Sequence, residues 1–145
     1  MLKPATKIAC LILAMVVILT TAFACAAKPE PAYADQIAEN ILQAMNENDY
    51  AKYSEYFDES MKMALPQATF QSSNSLMRAA IGDYVSKTFW KVEEKDDYTV
   101  VVYKVKFTEE PQDVIVRVIF YEIEGKTYVA GLWFDSPKLR ESAGK

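Results

Sequence analysis

Asp83 precedes Tyr84, and Asp135 follows Phe134; these are the carboxylates nearest to aromatic runs in the chain. A carboxyl group drawn out of water beside such rings has its charged form disfavoured, and it can then trade protons with a substrate held by a tyrosine hydroxyl. Other acid–base chemistry is restricted, because the 145 residues contain no histidine. Serine–histidine and cysteine–histidine nucleophile pairs are therefore excluded. A zinc site from Cys and His is excluded too, because the chain has two cysteines, both near its start. No loop has the D-x-[DN]-x-[DN]-G spacing of a calcium site, so neither metal nor cofactor is expected. Both aspartates also fall at the ends of predicted elements, where a carboxylate commonly caps a turn in solvent. A structural role thus stands beside the catalytic one.

Arg117 interrupts the apolar run VIVRVIFYEI. It either lays its stem along the outer side of a sheet and keeps its charge wet, or is buried against an acid such as Glu122, or meets an anionic ligand. The acid pairs Glu93-Glu94, Asp96-Asp97 and Glu109-Glu110 fit loop tips. The net charge is −4 and no basic stripe is present, so nucleic acid is not an expected partner.

Cys25 points to a different chemistry. Met1–Lys7 is a short positive start, and Ile8–Leu19 (IACLILAMVVIL) is apolar but shorter than the roughly 20 residues that span a bilayer. Small residues follow, with Ala22-Phe23-Ala24 as a small-x-small cleavage site, so residues 1–24 read as a signal peptide. A cysteine immediately after such a site resembles the bacterial lipoprotein signal, in which the thiol receives a diacylglycerol. Residues 25–32 then comprise the lipidated cysteine and a tether whose two prolines stiffen it. The bilayer becomes a partner through Cys25, and the domain faces outward from the cell membrane. Ordinary secretion is the alternative. Cys10 leaves with the leader, so no disulfide is expected.

Apolar periodicity supplies the elements that must position these residues. Ala34, Ile37, Ala38, Ile41, Leu42 and Met45 recur at three and four, predicting a helix from Tyr33. After the polar break Asn46–Asp49, a second helix is predicted with Tyr50, Tyr53, Phe57, Met61 and Ala64 on one stripe, ended by Leu65-Pro66. Pro66 opens a third, carrying Phe70, Met77, Ala80, Ile81 and Tyr84. The period then changes to two. Strands are predicted at Thr88–Val92, Tyr98–Phe107, Val114–Ile123 and Thr127–Phe134, with Glu124-Gly125 as a tight hairpin turn. Lys138–Lys145 reads as a frayed tail.

Helices first and hairpin-connected strands after predict an α+β domain, with the helices on one face of an antiparallel sheet. Three helices followed by a strongly curved sheet of about four strands is the order of the nuclear transport factor 2-like (NTF2-like) cone. The stretches AENILQAMNENDYAKYSEYFDESMK, IGDYVSK and FYEIEGKTYVAGLWFDSP resemble the small NTF2-like lipoprotein domains of unknown function found in prokaryotes, among them domain of unknown function 3887. The likeness covers most of Tyr33–Leu139, which implies a domain at 33–139 and a flexible tail at 140–145.

In such a cone the sheet and helices enclose a mostly apolar pocket. Here Tyr53, Phe57, Tyr84, Trp90, Tyr103, Tyr121 and Trp133 could line it, or simply fill the core. The fold hosts isomerases, dehydratases, transport factors and binding modules, so it fixes no activity, and a histidine-base dehydratase is ruled out by composition. The expectation is a membrane-anchored binding or interaction module for a small apolar molecule or an envelope protein. The alternative is a cone-fold isomerase or lyase using Asp83 or Asp135 with a tyrosine. A homodimer through the sheet face, using Val100, Val102, Trp90 or Trp133, is a further expectation.

Overall fold

The structure, a computed structural model, describes residues 27–144; the expected signal peptide and Cys25 lie outside the described residues. Helix α1 (Ala32–Glu47) buries Ala34, Ile37, Ala38, Ile41, Leu42, Ala44 and Met45, the stripe its spacing predicts, and stops where Asn48 turns left-handed at φ 55°. The second predicted helix is interrupted. It forms as α2 (Tyr50–Tyr53) and α3 (Glu59–Ala64). Between them Phe57 makes a parallel bridge to Val129, with the Val129 N–H donating to the Tyr56 carbonyl at 2.7 Å and the Asp58 N–H to the Val129 carbonyl at 3.3 Å. The side chain of Asp58 then caps α3 by accepting from the Met61 N–H at 2.6 Å. Pairing with a sheet edge thus outcompetes a helical stripe that was continuous in sequence.

Helix α4 (Gln67–Ile81) follows Pro66 and ends at Gly82, whose φ of 81° favours a residue without Cβ. Tyr84, predicted on this helix, instead begins strand β1 (Tyr84–Lys95), which is longer than the predicted Thr88–Val92. Strands β2 (Tyr98–Phe107), β3 (Glu110–Ile123) and β4 (Lys126–Asp135) complete an antiparallel sheet in the order β1-β2-β3-β4. Register shifts between Phe89 and Lys91, Val105 and Phe107, and Ile119 and Phe120 bend it. The residues predicted as a frayed tail form α5 (Pro137–Ala143), because Ser136 caps the Leu139 N–H and the Glu110 carboxylate accepts from the Lys138 N–H.

One sheet face carries the core. Val101, Tyr103, Val105, Val114, Val116, Val118, Phe120 and Val129 meet the α1 stripe, Tyr53, Phe57 and Phe70 there. The outer face carries Val100, Val102, Lys104, Arg117, Ile119 and Trp133, the alternate residues of the same strands, but Val102 is fully buried there and offers no surface to a partner.

Candidate functional site

Tyr53, Phe57 and Tyr103 come together on the inner face, where they form part of the core. The Tyr53 ring stands edge-on to Phe57 at 5.2 Å and tilted against Phe70 at 4.4 Å. Tyr103 is fully buried, and its hydroxyl donates to Glu30, just before α1, at 2.5 Å. Lys87 lies over the same ring, its side chain only 7% exposed, and pairs with Asp35 and, at 3.6 Å, with Glu39. Tyr84, at the rim of this cluster, donates to Glu39 at 2.8 Å. Burial, and then the bond to Glu30, pushes the Tyr103 hydroxyl well above the ordinary tyrosine value; burial and Glu39 do the same for Tyr84. These phenols therefore stay protonated and act as donors, while Lys87 is held by two carboxylates.

Trp90, Trp133 and Tyr121 are placed elsewhere, so the structure does not bring the seven rings to one chamber. Trp90 and Trp133 project from the outer sheet face, 45% and 63% exposed. Lys91 and Lys104 lie over the Trp90 ring at 5.1 and 4.9 Å from its centroid. Arg117 pairs in register with Trp133, which puts it on this outer face as the snorkelling reading expects. Tyr121 belongs to a cross-strand row with Tyr98 and Tyr128, ring centroids 5.9 and 5.6 Å away, and its hydroxyl donates to Asp58 at 3.0 Å.

Asp83 and Asp135 sit at element ends and are not brought together with the buried tyrosines. Arg78 donates to Asp83 at 2.7 Å, and Arg140 pairs with Asp135 at 2.5 Å. Each carboxylate thus has an arginine five residues away along the chain. A surface cleft of about 590 Å³ is polar and lies beside Asp83 between α4 and the β2–β3 turn, with Asn74, Arg78 and Thr108 in its wall. Among the described residues, no group of three or more Cys, Asp or Glu is placed to hold a metal ion.

Sequence reasoning missed Lys87, Glu30 and the basic character of the outer face. Lys87 faces Val105 on the inner side, which could be read only once the long register of β1 was known. Glu30 gives no signal of its own within Pro29-Glu30-Pro31.

Helices on the inner face of a curved antiparallel meander, with the segment around Phe57 hooked onto its edge, define an α+β domain with the helix-then-sheet order that the resemblance to an NTF2-like cone leads one to expect. The family described as "Protein of unknown function (DUF3887)" matches residues 38–132, and the chain belongs to that family. No curated protein matches. Among solved structures, a five-substitution variant of Rd1NTF2_05 is 13% identical, covers 71% of this chain and 96% of its own, with a TM-score of 0.48. A DUF4783 family protein from Bacteroides ovatus is 10% identical over 74% of this chain and 94% of its own, TM-score 0.43. An NTF2-like protein of unknown function from Cytophaga hutchinsonii is 11% identical over 73% and 93%, TM-score 0.37.

Proposed function

We propose that this chain is a membrane-anchored, extracytoplasmic interaction module whose uncovered sheet face is its working surface. The observation that carries this reading is that Trp90 and Trp133 stand exposed on the two edge strands, with half-buried Val100 and Ile119 between those strands, on a face that no helix of the described residues covers. Exposed apolar surface rimmed by polar residues is a mark of interaction sites, and tryptophan is enriched among the residues that carry binding energy there. The inner face supports a stabilising role, because Tyr103, Phe57 and Phe120 fill it. The arginine partners of Asp83 and Asp135 suit turn-end carboxylates better than acid–base catalysts. Lipid attachment at Cys25 and its tether would hold the module at the outer side of the membrane.

A photo-crosslinking residue placed at Trp133 in living cells tests this. Position 133 should crosslink strongly, and Gln71, exposed on the helical side, should not. Equal labelling at both positions, or none at 133, would overturn the proposal.

A further inference from the structure

We infer that the outer sheet face docks on the anionic lipid surface of the bilayer to which the chain is tethered; this rests on the reading of that face as the working surface. Among the described residues, four of the seven exposed large hydrophobic side chains lie there: Trp90, Tyr98, Ile123 and Trp133. They are interleaved with cations. Lys91, Lys95, Lys104, Lys106, Arg117 and Lys126 occupy outer positions in the register. Against them stand Glu93, Asp113 and Asp135, each already paired to a basic residue, and Asp96 of the β1–β2 turn, beside Lys95 and Tyr98. Among the described residues Lys104 and Arg117 have no carboxylate within ion-pair distance. A basic face on a chain of net charge −4 means that the acidic excess sits elsewhere, so the molecule carries a lopsided field.

That combination fits a lipid headgroup layer. Indole rings settle at the boundary between water and acyl chains, while Lys and Arg stems snorkel and leave their charges among anionic phosphates. Lys91 and Lys104, flanking the Trp90 ring, place both kinds of contact at one spot. A second copy fits less well, because an isologous pair would bring Lys104 and Arg117 against the same cations of its partner. The tether agrees with this placement. Lys28, next to the start of the described residues, is ion-paired with Glu94, close to the β1–β2 turn where the outer row of Lys95 and Tyr98 begins.

Trp90 and Trp133 are the only tryptophans in the chain, so native fluorescence reports this face alone. The lipidated full-length product is reconstituted in vesicles whose phosphatidylcholine carries brominated chains, with and without an equal part of phosphatidylglycerol. With phosphatidylglycerol the emission should shift to the blue and be quenched. Raising salt should reverse this, because the Debye length shrinks from about 10 Å at 0.1 M to about 3 Å at 1 M. The pair Lys104→Glu and Arg117→Glu should abolish the shift while circular dichroism stays unchanged. Emission that ignores lipid charge would overturn the inference. So would a shift that follows protein density in phosphatidylcholine alone, which identifies a second copy. If position 133 still crosslinks in cells but quenching fails, the interaction module stands and its partner is not lipid.

Discussion

Glu110 is 4% exposed, yet it keeps its charge. Burial alone would raise its carboxyl, but hydrogen bonds from the Ser136 hydroxyl and from the Lys138 and Gln112 N–H groups outweigh that and hold it below its ordinary 4.5. A lowered folded-state value means the carboxylate contributes stability above pH about 4.5, which is lost as pH falls through the lowered value. Thermal melts should therefore show stability falling below that pH. Glu110→Gln should melt lower at neutral pH and flatten the acid side of the profile; an unchanged profile would remove Glu110 from this role. On the inner face, Tyr103→Phe deletes the only donor that Tyr103 offers Glu30 and should cost about 1–2 kcal/mol in urea denaturation. Combining it with Glu30→Ala should cost less than the sum, because both changes break one bond. Neither role could be read from sequence. Glu110 looked like half of a solvated acid pair, and only the docking of α5 draws it inward.

Gly82 shows what an element boundary demands. It ends α4 at φ 81°, and a Cβ there would collide with the Thr108 hydroxyl and come within 2.9 Å of the Glu109 backbone nitrogen. Gly82→Ala should destabilise the fold by about 2–3 kcal/mol, measured by urea denaturation. An effect near zero would mean the β2–β3 turn yields easily. The first and third helices and the Glu124-Gly125 hairpin turn were legible because apolar spacing and turn residues agree at those places. The second helix misled, because Tyr53, Phe57 and Met61 keep a helical stripe while Phe57 in fact serves the sheet edge. Local pattern records which residues are buried, not which neighbour buries them. The length of β1 was hidden for a related reason: one of its inward positions is Lys87, whose partners Asp35 and Glu39 come from α1.

On the proposed reading, the whole molecule combines a lipid anchor at Cys25 with a weakly adhesive sheet face. A basic aromatic surface alone gives reversible, salt-sensitive binding, and one anchor alone leaves the domain free to tumble above the bilayer. Joined through a short tether, the second contact becomes intramolecular. Its effective concentration is then set by tether length rather than by the amount of protein in the cell. On that reading modest adhesion is enough to orient the domain, with Pro29 and Pro31 of the proposed tether limiting how far it can stray. The anchor should dominate retention and the face should dominate orientation. Detergent phase partitioning of cell extracts separates the two contributions. The native chain should enter the detergent phase whatever the salt, and Lys104→Glu with Arg117→Glu should leave that unchanged. Cys25→Ser should move the protein to the aqueous phase in partitioning, while on isolated membranes it should still bind at low salt and wash off at high salt. If Cys25→Ser stays in the detergent phase, retention comes from an uncleaved apolar leader rather than from lipid on the cysteine. If it never binds membranes at low salt, the sheet face has no affinity of its own for the bilayer.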